Sequence, residues 1–183
     1  MKRAMIECRP MNETRTLMAR LLLRLSGWLR CRIIDGNDGR PYLERYHLFR
    51  LPGGGGVYLH RFLASDPDRG LHDHPWRRAL GLVLSGGYDE LRLKGDQVCS
   101  RHLGPGRLNA ISGSDFHRIV LRGGGETWTL FAHGGKVKGW GFLQLGQDGR
   151  RHFIDHEQAS REPAHEQWWR HAPRGRHVAR RRV

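Results

Sequence analysis

The sequence is short of cysteine, of long apolar runs and of acidic residues, and each shortage excludes something. Its three cysteines, Cys8, Cys31 and Cys99, are odd in number and far apart, and no Cys-x-x-Cys occurs. That argues against a disulfide framework or a cysteine zinc site and makes a reducing cytoplasm the plain reading. The most apolar N-terminal stretch, Leu17 to Leu29, is broken by Arg20 and Arg24, whereas a membrane-spanning helix needs about 20 mainly apolar residues. Neither an unbroken apolar region nor a small-residue cleavage site marks a signal peptide. Hydrophobic residues make up only 38% of the 183. The length fits one domain with extensions, able to bury a core without disulfides.

Acids are outnumbered, 18 against 32 Lys and Arg, for a net charge of +14. The excess sits at the two ends. Residues 1–32 carry eight basic and two acidic residues, residues 170–183 six arginines and no acid, and residues 33–169 an almost balanced 18 and 16. A nearly neutral middle argues against a nucleic-acid groove in the domain itself. It leaves open a basic tail that holds polyanions.

Leu17, Met18, Leu21, Leu22, Leu25, Trp28 and Leu29 recur with helical spacing, and Arg15, Arg20 and Arg24 fall between them. The pattern predicts an amphipathic helix over 14–30, with Asn12 as a candidate cap, packed on the outside of the domain or lying on an anionic membrane surface. From about residue 41 the pattern changes to short strands: 42–51, 57–64, 79–84, 88–94, 97–102, 107–111, 116–122, 127–133 and 138–144. Glycine-rich turns such as Gly86-Gly87 and Gly104-Pro105-Gly106 separate them. Many short strands at near-regular spacing indicate a sandwich or barrel, and the lack of βαβ alternation disfavours a parallel sheet. The run Gly53 to Gly56 is followed by neither Lys-Ser/Thr nor a helix, so it is not a phosphate loop. The expected organisation is a basic helical extension over 1–40, a β-barrel over 41–150 and a C-terminal extension over 151–183. A short helix is expected over 155–171 and disorder over the Arg-rich end, 172–183.

The chemistry concentrates in Leu71-His72-Asp73-His74-Pro75-Trp76. On a strand, residues i and i+2 share a face with Cα atoms about 6.5 Å apart. Two imidazoles so placed converge on one metal with bonds of about 2.0–2.1 Å for zinc. Asp73 has the opposite parity and is expected to point away. A third ligand must come from another strand, and His117 lies on the apolar segment Asp115 to Leu121. His60, on Val57 to Phe62, is a further candidate, as a fourth ligand or a proton-transfer group if it faces inward, or as a histidine bonded to its surroundings. Tyr58, Trp76, Tyr88, Trp128 and Trp140 are core or pocket lining. Arg61, Arg77, Arg78 and Arg118 are candidates to meet a carboxylate, though strand parity turns Arg61 and Arg118 outward. No Ser-His-Asp order or paired-carboxylate pattern marks a hydrolase.

These residues resemble the cupin superfamily, whose motifs have the forms G-x5-H-x-H-x3,4-E-x6-G and G-x5-P-x-G-x2-H-x3-N. His72 and His74 supply the paired histidines and Gly86 the closing glycine. Gly106 opens the second motif, and counting on from it reaches His117. The resemblance covers about residues 56–145 and is nearest to little-characterised single-domain proteins carrying His-Asp-His-Pro-Trp. Several positions depart from it. The glutamate position holds Arg78 or Ala79, and the first opening glycine is replaced near Asp66. Ser112, Ser114 and Leu121 stand for the proline, middle glycine and asparagine of the second motif, with Gly113 as a candidate to rebuild the turn.

The resemblance implies an all-β fold, a double-stranded β-helix or jelly-roll barrel, with the N-terminal helix and a basic C-terminal tail appended. It implies a divalent metal on His72, His74 and His117, with His60 as the catalytic candidate. Three neutral imidazoles leave coordination positions open, as in cupin dioxygenases that oxidise thiols or β-diketones. Fe(II) is the first expectation, with Zn, Mn, Ni or Cu also compatible. The expected function is a metal-dependent, oxygenase-type enzyme acting on a small anionic molecule, with isomerase or lyase chemistry next. The alternatives are a non-catalytic metal- and small-molecule-binding cupin, or a polyanion-binding protein acting through its Arg-rich ends. A homodimer is plausible by resemblance.

Overall fold

A computed structural model describes residues 16–123, 125–156 and 167–180. Helix α1 (Leu17–Ser26) is followed by β1 (Arg30–Asp35), β2 (Pro41–Arg50), β3 (Gly56–Phe62), β4 (Leu71–His72), β5 (Arg78–Ser85), β6 (Tyr88–Lys94), β7 (Gln97–Leu103), β8 (Leu108–Ser112), β9 (His117–Leu121), β10 (Thr127–His133), β11 (Gly141–Leu145) and β12 (Arg151–Asp155). They form two six-stranded antiparallel sheets, ordered β1-β2-β3-β10-β5-β8 and β12-β11-β4-β9-β6-β7. Gly86 and Gly106 carry φ of +78° and +79°. They are the two glycine landmarks of the sequence, and both turns need the left-handed region that L side chains rarely adopt.

The inner faces divide the interior by depth. One part is filled by Leu43, Phe62, Val83, Tyr88, Leu103 and Ile119. Another is an aromatic cluster of Tyr58, Ala79, Ile111 and Phe131, with Trp76 and Trp168 packed against it. The outer face of the first sheet is covered as well. There Ala19, Cys31, Tyr46, Leu59 and Trp128 pack together with Leu22 and Leu23 of α1 and with Val178, so every residue of β3 is buried.

The strands run past the 41–150 segment at both ends. β1 pairs along β2, and β12 along β11. Cys31 and Ile33 alternate with Arg30 and Arg32, a strand period hidden behind the helical pattern that precedes it. Helix α1 starts later than expected. Thr16 is its cap, accepting from the Ala19 N–H at 3.2 Å, and Asn12 lies outside the described residues.

The C-terminal segment also differs from expectation, because residues 172–180 are fastened rather than loose. Cys31 N–H donates to the Pro173 carbonyl (2.8 Å) and Gly175 N–H to the Leu29 carbonyl (2.9 Å). The Arg180 guanidinium reaches the Leu23 carbonyl and Ser26 Oγ, each at 3.0 Å. Charge-rich composition suggested disorder, but a glycine and a valine within it let the backbone close over α1. Of the helix expected over 155–171, Trp168–Arg170 forms a single 3-10 turn, and residues 157–166 lie outside the described residues.

Candidate metal centre

His72 ends β4, which pairs with β9 so that His72 stands directly opposite His117. β4 is only two residues long, so His74 lies beyond it rather than on a continuing strand. The chain is held there by neighbours. Val137 N–H donates to the Pro75 carbonyl at 2.8 Å. A Cβ on Gly113 would meet the Trp76 carbonyl oxygen at 2.2 Å, so only glycine allows this approach. His74 stacks on Trp76 at 5.1 Å.

The three rings gather in one place. Their centroids are 4.7 Å (His72–His117), 5.0 Å (His72–His74) and 5.0 Å (His74–His117) apart. One ring nitrogen from each lies within 4.8 Å of the other two. The Nε2 atoms of His74 and His117 are 2.8 Å apart. Two imidazole nitrogens at that distance need a hydrogen or a cation between them. Asp73 is not part of the group. It is buried and points away, accepting from the Gly141 N–H at 2.7 Å and pairing with Lys138, which ties the end of β4 to β11.

Behind His117 stands Glu90 of β6, fully buried. Its carboxylate receives His117 Nδ1–H (2.8 Å), Arg101 Nε (2.7 Å), Arg92 (2.9 Å) and Asn109 Nδ2 (2.9 Å). Burial alone would raise its pKa. The hydrogen bonds from His117, Arg92 and Asn109 override this and hold it below the usual carboxylate range. An ionised Glu90 only accepts, so His117 carries its hydrogen on Nδ1 and presents the Nε2 lone pair to His74. His72 and His74 are kept well below the ordinary imidazole value, first by burial and then by neighbouring histidines, so both are neutral near pH 7. Metal binding requires neutral imidazoles, and a carboxylate on the far nitrogen is the usual means of fixing a ligand's tautomer.

His60 faces the same interior from β3 but stands outside the three-residue group. Its ring stacks on Phe131 at 4.9 Å, and Phe131 lies 6.4 Å from the His74 ring. His60 Nε2 accepts from Arg45 Nε at 3.1 Å, which occupies the lone pair a proton acceptor would use. Arg61 faces away from the interior, as parity predicts, yet it is fully buried over the Trp128 ring between Glu44 and Glu126. Arg118 binds Asp68 at 2.6 Å.

Glu90 and Arg45 were not singled out in the sequence. The strand period puts Glu90 on the same face as Tyr88, and that was the available signal. Nothing local marks Arg45, whose neighbours arrive from other strands.

No family model matches the chain, and no curated protein matches it. Among solved structures it is similar to a cupin-2 domain protein from Rhodospirillum rubrum, with a TM-score of 0.50 and 12% identity over 66% of this chain and 78% of that one. Weaker likenesses are to hydroxypropylphosphonic acid epoxidase from S. wedmorenis (TM-score 0.45, 16% identity, 56% of this chain and 55% of that one) and to an oxalate oxidase in complex with glycolate (0.45, 20%, 64% and 65%). The match spans about half the length of the epoxidase and just under two thirds of the oxidase. The two antiparallel sheets and the likeness to the cupin-2 domain show a cupin-type fold, an all-β jelly-roll barrel with one short helix. Its interior holds a three-histidine cluster of the kind that fits a cupin metal site.

Proposed function

We propose that the protein is a metal-dependent cupin that holds a divalent ion on His72, His74 and His117 and acts on a small anionic molecule by oxygenase-type chemistry. The observation that carries this reading is the approach of His74 Nε2 to His117 Nε2, with the other nitrogen of His117 fixed by Glu90. The donor set fits such an ion. Its three nitrogens converge from β4, the segment after β4 and β9, and all three rings are neutral or held in one tautomer. A closed structural zinc site uses four protein ligands, and the described residues offer three in this group.

A divalent ion held by His72, His74 and His117 would supply Lewis-acid chemistry or, as Fe(II), dioxygen chemistry. Fe(II) is the metal we favour for oxygenase chemistry. The protein supplies the rest. Glu90 raises the donor strength of His117 and fixes its orientation. Trp76 and Phe131 flank His74 and keep water from part of its surface.

Elemental analysis of the purified protein tests the reading, alongside His72→Ala and His117→Ala. About one divalent ion per chain in the wild type, lost in both variants, is expected. No metal in any preparation or after reconstitution overturns it. Oxygen uptake by the Fe(II)-loaded protein, screened over small acidic molecules, then separates an oxygenase from a cupin that only binds its ligand.

A further inference from the structure

Among the described residues, Arg45 is a cation without a counter-charge on the inner face of the first sheet. It stands on the inner face of β2, in register with His60 on β3, and it is partly buried. Its Nε donates to His60 Nε2 at 3.1 Å, and its Cζ lies 5.8 Å from the Tyr58 ring centroid. Among the described residues no carboxylate pairs with it, and Nη1 and Nη2 make no hydrogen bond. Three other buried or half-buried arginines of the sheets are answered by carboxylates: Arg61 by Glu44 and Glu126, Arg92 by Glu90 and Asp115, Arg118 by Asp68. Burial lowers the Arg45 pKa from its ordinary value, and tyrosines, not carboxylates, are the groups that oppose the shift. A guanidinium stays charged even so. The His60 ring that Arg45 holds stacks on Phe131 at 4.9 Å, and Phe131 lies 6.4 Å from the His74 ring, so Arg45 faces the same interior as the three-histidine group.

The geometry points to Arg45 as the anchor for the carboxylate of a small ligand whose second donor group meets the metal at His72, His74 and His117. This rests on the metal reading above. Two features make the anchor specific. His60 takes the Nε side of the guanidinium, so a carboxylate can approach only end-on, where Nη1 and Nη2 form a two-nitrogen fork matching its two oxygens. Tyr58, Phe131 and Trp76 form an aromatic wall beside this space, which suits a ligand with a planar or apolar body. His60 then acts as a positioning residue. Its lone pair holds the fork in place.

The test uses the full chain loaded with Co(II), whose visible bands report ligand entry at the metal. Three probes are titrated: mandelate, with a carboxylate, a neighbouring hydroxyl and a ring; 1-phenyl-1,2-ethanediol, which lacks the carboxylate; and azide, which needs only the metal. Mandelate is expected to shift the wild-type bands, and the diol to bind far more weakly. Arg45→Met should weaken mandelate by roughly ten- to a hundredfold, and Arg45→Lys by less, with azide little changed in both. The anchor is overturned if mandelate binds wild type and Arg45→Met equally. It is also overturned if mandelate and azide weaken by the same factor, if the diol binds as well as mandelate, or if mandelate leaves the wild-type bands unmoved. Circular dichroism and the cobalt bands themselves show whether Arg45→Met is folded, and Arg45→Lys carries the comparison if it is not. A wild type that shows no cobalt bands fails at the metal, a result distinct from every one of these.

Discussion

His117 and Glu90 are joined by a buried hydrogen bond of 2.8 Å between Nδ1 and Oε1. It decides which nitrogen of His117 faces the interior, because an ionised carboxylate accepts and does not donate. Glu90→Gln keeps the size of the side chain but can offer His117 its NH2 group, which favours the wrong tautomer. Metal affinity is expected to fall by roughly 10–100-fold, read by titration with Zn(II) or Co(II) against a competing chelator. An affinity equal to that of wild type would mean that the bond serves only packing.

Metal and fold are coupled if the three histidines hold an ion. At a free concentration 100 times its dissociation constant, the metal stabilises the folded chain by about 2.7 kcal/mol. Adding chelator to the wild type is expected to lower Tm measurably, whereas His117→Ala, which has no site to empty, melts at the same temperature with or without chelator. A chelator effect that survives in His117→Ala would place the stabilising ion elsewhere.

Arg61 offers a contrast on the opposite face of the same strand as His60. It lies between Glu44 (3.1 Å) and Glu126, and Tyr46 Oη donates to Glu44 at 2.5 Å. Removing one partner of such a group leaves uncompensated buried charge, a cost of about 3–5 kcal/mol. Arg61→Met is therefore expected to lower the denaturant midpoint strongly. Any folded fraction should retain its metal, because the substitution lies outside the barrel interior.

What the sequence disclosed follows the reach of local pattern. Strands such as β6 and β10 were placed to the residue because period-2 alternation and glycine turns mark both of their ends. His72, His74 and His117 were legible because a motif spacing ties them to two glycines that both take positive φ. β4 and β12 escaped, the first because two residues make no period, the second because Arg151 to Asp155 sets its two apolar residues, Phe153 and Ile154, side by side and so shows no alternation. The support of the site was less visible still. Arg45 meets His60 through strand pairing, and Glu90 meets Asn109 from another sheet. Such contacts exist only after the sheets have formed.

The two described cysteines are expected to behave oppositely. Cys99 is exposed and Cys31 is buried beneath α1 and the C-terminal segment. Burial, reinforced by the charge of Glu44, pushes the Cys31 thiol up to about 12, and only the thiolate reacts readily. Iodoacetamide at pH 8 should label Cys99 in the folded protein and Cys31 only after denaturation, as read by peptide mass mapping. Rapid labelling of Cys31 under native conditions would mean that the covering segment opens often.

The same segment has a weak point at Gly175. A Cβ there would lie 2.5 Å from the Ser26 carbonyl oxygen and 2.8 Å from the Tyr46 ring, both in the layer between α1 and the sheet. Gly175→Ala forces these apart, and overpacking of this kind costs about 1–3 kcal/mol. Tm is expected to fall and Cys31 to become more reactive, with metal content unchanged. Deleting residues 170–183 removes six arginines but also uncovers Tyr46, so loss of polyanion binding in that truncation would not distinguish charge from unfolding. Replacing the exposed Arg174 and Arg176 by Gln leaves Gly175 and its contacts in place. If the basic end holds nucleic acid, this double variant should bind it more weakly and with a shallower dependence on salt, while its Tm stays near that of wild type.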